Sequence, residues 1–403
     1  MTSQRNLLQT IALRPLFLPM LILLAPLAHA VDSSTTLIAY AELAADTFRS
    51  GPDSGAFIEP VNGRQPPFVK QQPVQGFSAL LSGNSGLYLV LSDNGFGKRS
   101  NSADYLLSIY YVRPDFRTTT GGTGSIEVER IIRLSDPESY LPYTISRQTD
   151  RLLTGADLDP ESFQMAPDGS FWIAEEFYPS LLHFSAEGVL LASPFTLNGL
   201  ASVDNPEGKT ATLPRSRGFE GMAISADARH LFPLLEGTIS GQEPALNIYT
   251  FDIENQRFVN EHANSPSYRY RLEQGSTAIG AFKLYSATAG LVLERDSGEG
   301  VTAHIKKVYA VDFTRLDADG YLEKTLVADL LNISDPHDLN RDGSENFSFP
   351  FYTIEGLLVI DANTLAIVND NNYPFGQARE ADKKHIDNNE FIIIRLPSIL
   401  PGL

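Results

Sequence analysis

The chain has 403 residues, 42% of them hydrophobic, which is enough for a folded core and excludes a wholly disordered protein. It contains no cysteine, which excludes disulfides, thiolate metal sites and a lipid-anchored cysteine. Its net charge of −18 disfavours nucleic acid and anionic membranes as partners and favours cations, although such acidity also serves the solubility of an exported protein.

The first thirty residues differ in kind from the rest of the chain. Arg5 and Arg14 precede an apolar run over residues 15–27, and Ala28-His29-Ala30 fits the small-x-small cleavage pattern of a secretory signal peptide. A membrane anchor is the alternative, but the apolar run is short for a span and is broken by prolines. We predict a signal peptide over 1–30, export to the periplasm or the medium without a remaining anchor, and a single domain over 31–403.

The exported part begins with a strand, Thr36–Ala41, and continues as a Gly/Pro/Gln-rich loop through Pro73. Five repeated units follow, each with two short β-type runs joined by a tight Gly, Asp or Asn turn and then a third run. The units open with GFSALLSGNSGLYLVLSDNGFG (76–97), DPESFQMAPDGSFWIAEEF (159–177), RGFEGMAISADARHLFPLLEG (217–237), IGAFKLYSATAGLVLERD (279–296) and IEGLLVIDANTLAIVNDNN (354–372).

Several units add a fourth run, in IEVERIIRL, VLLASPFTL and KTLVADLLNI. Repeated four-stranded units are typical of a β-propeller. The fifth unit has no fourth run of its own, and the strand at 36–41 would supply it, closing the ring and removing exposed sheet edges. We predict an all-β propeller with five visible units. A sixth, degenerate blade within 42–75 or 195–215 is an alternative, and so is a two-sheet sandwich, which does not predict a recurring unit.

Acidic residues recur where these runs begin and end. In a hairpin, the residue before the first run lies beside the residue after the second, and in a propeller such ends meet at one mouth of the channel. The second runs end at Asp93, Glu175, Glu236, Glu294 and Asp370, and three first runs begin at Glu161, Glu220 and Glu355. The paired acids are 14, 16 and 15 residues apart, and Ser78 and Gly280 take the matching first-run positions in the other units. We therefore predict that eight carboxylates converge.

Such crowding is costly, because two carboxylates 4 Å apart repel by about 4 kcal/mol at an effective dielectric near 20. Protonation, arginines or a divalent cation can relieve it. We assign Glu220, Glu355, Arg217 and Arg295 to catalysis, and we assign Ca²⁺ ligation to Asp93, Glu161, Glu175, Glu236, Glu294 and Asp370. The alternative is that these acids only hold the blades together through backbone hydrogen bonds and arginine pairs.

A second metal candidate lies outside the repeats. Asp338, Asn340 and Asp342, followed by Gly343, match the start of a D-x-[DN]-x-[DN]-G calcium loop, but Phe349 stands where the bidentate acid belongs. Asp, Asn and Gly also form ordinary turns. The histidines show no zinc-binding spacing, and no nucleophile elbow or phosphate-binding glycine motif is present.

Short motifs within the repeated units resemble those of the phytase-like family, also described as "esterase-like activity of phytase" proteins. They are LSDNG, DPES, RGFEGMAISAD with LLEG, LVLERD, and IEGLLV with VNDNN, spread over residues 36–396. The resemblance implies a secreted or periplasmic propeller that hydrolyses phosphoesters or esters. Ser162 replaces a common glycine and Gly280 a common carboxylate. The acidic phosphate-site motif of the calcium-dependent propeller phytases is not found, which argues against phytate as substrate.

These observations together predict an exported, monomeric hydrolase that acts on a small-molecule ester, either a phosphoester or a related ester. The acidic residues would bind calcium. Two alternatives remain open. One is a non-catalytic propeller that binds a ligand or partner and uses calcium structurally. The other is a lactonase-like propeller, in which a few acids and asparagines surround one calcium.

Overall fold

The chain is almost entirely β-structure in the computed structural model, which describes residues 1, 34–242, 244–379 and 385–403. The helices in these ranges are two single 3₁₀ turns, Arg99–Asn101 and Gly300–Thr302. The prediction of an all-β fold is confirmed. Apart from Met1, the predicted signal peptide lies outside the described residues. Within them, no helix has the length and hydrophobicity required to cross a membrane.

The strands follow the predicted repeats. Before the first unit come β1 (Thr36–Leu43), β2 (Phe48–Ser50) and β3 (Gln71–Pro73). The first unit contains β4 (Phe77–Ser82), β5 (Tyr88–Ser92), β6 (Ser108–Asp115) and β7 (Ser125–Arg133). The second contains β8 (Pro160–Met165), β9 (Phe171–Glu175), β10 (Ser180–Phe184) and β11 (Phe195–Thr196).

The third unit is more divided than the others. It contains β12 (Phe219–Ile224), β13 (His230–Leu235), β14 (Leu246–Ile248), β15 (Phe251–Asp252), β16 (Arg257–Phe258) and β17 (Tyr268–Tyr270). The fourth contains β18 (Ala278–Leu284), β19 (Ala289–Arg295), β20 (Lys306–Leu316) and β21 (Leu322–Asp329). After β22 (Ile333–Ser334) and β23 (Asn346–Phe347), the fifth contains β24 (Thr353–Asp361), β25 (Thr364–Asp370) and β26 (Asn389–Arg395).

Each unit forms an antiparallel sheet, and the first strands of the five units contact one another in cyclic order: β4, β8, β12, β18, β24 and again β4. Apolar side chains fill the spaces between neighbouring sheets, as Leu91, Phe163 and Ile173 do between the first two. The hydrophobic effect thus holds the sheets face to face and brings the ends of their first strands together.

Strand β1 extends the sheet of the fifth unit. It pairs antiparallel with β26 from Thr36, opposite Arg395, to Leu43, opposite Asn389, whereas it meets β7 only where Glu42 lies opposite Ser125. The predicted run VLLASPFTL is ordered as a strand over two residues only, β11. Residues 42–75 contribute the two-stranded sheet β2–β3.

All five first strands carry a β-bulge at the same place. The pairing register skips one residue between Phe77 and Ala79 and at the matching point of each other unit. A bulge leaves one residue without a partner and redirects its side chain. The skipped residues are Ser78, Glu161, Glu220, Gly280 and Glu355.

Candidate functional site: a buried carboxylate cluster

The bulge residues lie beside a second set of equivalent positions at the ends of the second strands. The strand register places Ser92, Glu175, Leu235, Glu294 and Asn369 directly opposite the residue that precedes each bulge. The residue that follows each of these therefore occupies an equivalent position in its unit. The five residues at this position are Asp93, Glu176, Glu236, Arg295 and Asp370.

Six carboxylates lie close together at these strand ends. Oxygen atoms within each of three groups lie within 4.8 Å of one another, and the groups are Asp159, Glu161 and Glu176; Glu161, Glu220 and Glu355; and Glu176, Glu220 and Glu236. All six residues are buried. Because the groups share members, the carboxylates form one continuous cluster, which we call the acid cluster.

Two arginines border the acid cluster and share one of its members. Arg217 Nη1 lies 2.7 Å from Glu236 Oε2, and Arg295 Nη2 donates a hydrogen bond of 3.0 Å to Glu236 Oε1. Arg295 Nη2 also lies 3.8 Å from Glu355 Oε1. Glu236 is therefore compensated on both oxygens, whereas most of the acid cluster is not.

Several polar atoms at the acid cluster have no hydrogen-bond partner within the described part of the chain. They include Glu176 Oε1 and Glu220 Oε1, both on buried side chains, and Arg295 Nε. A buried polar group without a partner costs about 1–3 kcal/mol, more when it is charged. These atoms therefore mark a place where a ligand or an ion would make the missing contacts.

Glu175 and Glu294 do not belong to the acid cluster, because their carboxylates form hydrogen bonds elsewhere. Glu175 accepts backbone hydrogen bonds from Asp159, Phe177 and Tyr178 at 3.1, 3.0 and 2.6 Å. Glu294 accepts hydrogen bonds from Ser276 Oγ and the Glu273 amide, besides short contacts with Tyr270 and Lys324. Successive side chains of a strand point to opposite sides, so Glu176 and Arg295 take the central positions.

Asp159, a member of the acid cluster, and the two flanking residues Asp93 and Asp370 have partly satisfied carboxylates. Asp159 accepts hydrogen bonds from the Asn94 amide and side chain at 3.1 and 2.8 Å. Asp93 Oδ1 accepts one from the Gly95 amide at 2.9 Å, and Asp370 Oδ1 one from the Asn372 amide at 2.7 Å. The sequence analysis missed Asp159 and Glu176. The distance of 15 residues from Glu161 to Glu176, which recurs from Ser78 to Asp93 and from Glu355 to Asp370, is the signal that identifies Glu176.

The fourth unit contributes no carboxylate to the ring of bulge residues. A Cβ atom at Gly280 would lie 2.0 Å from the carbonyl oxygen of Ile354, closer than any real contact. The neighbouring first strand therefore comes too near for any side chain here, which is the physical reason why this position lacks the acidic residue found in the second, third and fifth units.

The predicted calcium loop is a surface turn and does not reach the acid cluster's groups. Gly343 N donates to Asp338 Oδ1 at 3.0 Å, and Asn340 Nδ2 donates to Asp342 Oδ2 at 2.7 Å. Among the described residues, none of the acid groups with metal-binding spacing includes Asp338 or Asp342. These side chains serve turn hydrogen bonds, as Asp and Asn commonly do.

Burial and mutual repulsion disfavour ionisation throughout the acid cluster. Burial, followed by the charges of Asp159, Glu220 and Glu355, holds the pKa of Glu161 well above its usual range. Burial likewise raises the pKa values of Glu176, Glu220 and Glu355 well above normal. The pKa values of Asp159 and Asp370 rise to about 6, mainly because of burial.

We expect the cation-free protein to lose stability as the pH rises from about 5 to 8.5. Carboxyl groups titrate near pH 4 when the chain is unfolded. The pKa of Asp159 is about 6 in the folded state and that of Glu175 about 8, so the folded state binds more protons in this window. These groups make their full contribution to the free energy of unfolding below about pH 4, and that contribution is lost as the pH rises through their folded pKa values. Thermal denaturation followed by Trp172 fluorescence would measure it, and a melting temperature that rises with pH would contradict it.

An open cavity of about 910 Å³ adjoins the acid cluster. Phe177, next to Glu176, and Ser216, next to Arg217, belong to its lining. Its basic residues are Lys98, Arg99 and Arg215, and its acidic residues are Asp157 and Asp204. The cavity is large enough for a small-molecule ligand, and its lining includes neighbours of the site along the chain but no member of the acid cluster itself.

The chain resembles several known proteins. It is 25% identical over 197 residues to an uncharacterized secreted protein of Arthroderma benhamiae, a match that spans 38% of this chain and 37% of that relative. A luciferin-regenerating enzyme covers 90% of this chain with a TM-score of 0.38 and 10% identity, and the match includes 92% of that structure. An aldose sugar dehydrogenase from Streptomyces coelicolor covers 91% with a TM-score of 0.35 and 8% identity, and the match includes all of that structure.

A family match covers most of the chain. Residues 72–373 match the phytase-like family, whose description is "esterase-like activity of phytase". This range begins within β3 and includes every member of the acid cluster, together with both flanking arginines. The chain therefore belongs to the phytase-like family.

Proposed function

We propose that this protein is an exported hydrolase of phosphoester or related ester bonds, assisted by a divalent cation that the acid cluster binds. The observation that carries the proposal is the buried acid cluster with unpartnered carboxylate oxygens on Glu176 and Glu220, beside an open cavity. Membership of the phytase-like family supports ester hydrolysis as the reaction class.

The residues present suit a hard divalent cation such as calcium. The candidate ligands are all carboxylate oxygens, which Ca²⁺ and Mg²⁺ prefer, and no cysteine exists to favour a softer metal. If all six carboxylates are ionised, the two guanidinium groups offset only two of the six negative charges, and a divalent cation would offset two more. Since Glu161, Glu176 and Glu220 each belong to two of the three groups, they are the members on which cation binding depends most.

A bound cation would polarise the ester and lower the pKa of a water molecule. Glu161, Glu220 and Glu355 would hold it from three different first strands. Arg295, whose Nε has no partner among the described residues, would donate to the developing negative charge on the substrate, and Arg217 would do so from the more exposed side. Glu236 would orient both arginines through the ion pairs that it already forms.

Activity assays on desalted protein with and without Ca²⁺, Mg²⁺, Mn²⁺ or Zn²⁺ would test this proposal. The panel contains a phosphomonoester, a phosphodiester, a carboxylic ester and a lactone. We expect hydrolysis of a phosphoester or carboxylic ester that requires added cation and is lost on chelation. Turnover of the lactone alone would favour the lactonase-like alternative. No turnover of any substrate, together with a large loss of melting temperature on chelation, would favour a non-catalytic binding protein.

The proposal includes a monomeric, five-bladed propeller that is exported. The cyclic order of the first strands and the pairing of β1 with β26 support five blades with a closing N-terminal strand. The signal-like residues 1–30 and the secreted relative support export. Cell fractionation tests export, because protein found in the cytoplasm alone would contradict it, and N-terminal sequencing of the exported protein tests cleavage, which an intact Met1 would contradict. Light scattering measures the molar mass in solution and so tests whether the protein is a monomer. An experimental structure with a different number of blades would overturn the blade count.

A further inference from the structure

The open cavity beside the acid cluster is basic, in a chain of net charge −18. Its positive residues come from different loops. Lys98 and Arg99 follow β5, and Arg215 precedes β12. Randomly placed surface charge in so acidic a protein would make such a cavity acidic. A concave site with the opposite sign to the rest of the protein concentrates ligands of negative charge.

The protein engages three of the four carboxylate oxygens of the cavity's acidic residues, and Asp204 Oδ2 is buried without a hydrogen-bond partner in the described part of the chain. Asp157 Oδ1 accepts from the Ser146 amide and hydroxyl at 2.7 and 3.0 Å, and Asp157 Oδ2 accepts from the Thr154 amide and hydroxyl at 2.8 and 2.9 Å. Asp204 Oδ1 forms a short ion pair with Arg215. These carboxylates are therefore engaged in holding the walls of the cavity.

Two of the cavity's basic residues differ from Arg215 in their contacts. Arg99 is held in place by neutral carbonyl groups, with Nε donating to Ala156 at 2.8 Å and Nη1 to Asp204 at 3.1 Å. Neither Arg99 nor Lys98 forms an ion pair with a carboxylate in the described part of the chain. A fixed guanidinium beside a free ammonium group is a suitable arrangement for a phosphate oxygen.

We propose that Lys98 and Arg99 form an anion-binding subsite for a phosphate group of the substrate. The proposal rests on the proposed function and narrows it, because the substrate is then an organic phosphate and not an uncharged ester. Phe177 and Ser216 line the same cavity and are the chain neighbours of Glu176 and Arg217, which relates the subsite to the acid cluster through the backbone. Lys98 and Arg99 act in binding and positioning the substrate.

The test compares Lys98→Glu with Arg229→Glu. Both substitutions change the net charge equally, but Arg229 is an exposed residue in the turn between β12 and β13, at the opposite end of the hairpin from Glu220 and Glu236. We expect Lys98→Glu to weaken the binding of inorganic phosphate to desalted protein at least about tenfold, because it reverses one charge beside the anion. Arg229→Glu should leave that binding within about twofold. Calorimetric titration measures it, with the chelator removed beforehand because chelators are anions.

Kinetics provide the second measurement. Lys98→Glu should raise KM for p-nitrophenyl phosphate about tenfold, and Arg229→Glu should leave that KM within about twofold. The protein could bind phosphate, with weaker binding in Lys98→Glu, and yet turn over no substrate. That result would support the subsite and refute the proposed hydrolase. Absence of phosphate binding to the unaltered protein, or equal binding by the two variants, would overturn the subsite whatever the activity assays show.

Discussion

Replacing Glu220 by glutamine should abolish most of the proposed hydrolysis and most cation binding. Glu220 belongs to two of the three carboxylate groups, is buried, and has an oxygen without a hydrogen-bond partner in the described residues. Glutamine keeps the shape and removes the charge. We expect a loss of at least about 100-fold in activity or cation affinity, as for other changes close to a metal.

The same substitution should have the opposite effect on the stability of the cation-free protein. Burial and the charges of Glu236 and Glu176 hold the pKa of Glu220 well above its usual range, which means that ionised Glu220 destabilises the fold. At pH 8, Glu220→Gln should therefore raise the melting temperature of desalted protein and lower that of calcium-saturated protein.

Glu254→Gln is the matched control, because Glu254 is exposed in the turn between β15 and β16 and should leave every measurement unchanged. Cation content by elemental analysis, melting temperature and activity are measured on each variant. If Glu220→Gln lowers the melting temperature equally with and without calcium, the acid cluster holds the blades together and does not bind a cation.

Replacing Arg295 by methionine should be the most destabilising change at the site. Arg295 is buried, donates to Glu236 at 3.0 Å and lies 3.8 Å from Glu355. Removing one partner of a buried ion pair leaves an uncompensated charge, at a cost of about 3–5 kcal/mol. Urea denaturation of desalted protein at neutral pH would measure the free energy of unfolding.

Arg217→Met provides the comparison, since both arginines pair with Glu236 but the Arg217 side chain is 29% exposed against 8% for Arg295. Solvent screens the more exposed pair, so its loss should cost about 1 kcal/mol or less. In the double variant Arg295→Met with Glu236→Gln, part of the loss should be recovered. An Arg295→Met variant no less stable than Arg217→Met would show that the acid cluster does not depend on this guanidinium.

Part of the site was predictable from residues that are adjacent in the chain. Alternating apolar runs, tight turns and an acid at the start of the first run located Glu161, Glu220 and Glu355 at equivalent places, and the structure brings all three together. At Asp338, Asn340 and Asp342 the local pattern suits both a calcium loop and a turn, and the structure shows turn hydrogen bonds among these side chains.

By itself, the sequence determined the all-β repeats and the positions at which first strands begin, because strand alternation and turn chemistry depend on neighbouring residues. Only the tertiary structure decided which of two consecutive residues faces the centre. A bulge at each first strand shifts the pairing by one residue, so Glu176 and Arg295 join the site while Glu175 and Glu294 bind elsewhere. The basic cavity likewise exists only after folding, because Lys98, Arg99 and Arg215 come from loops that packing of separate sheets brings together.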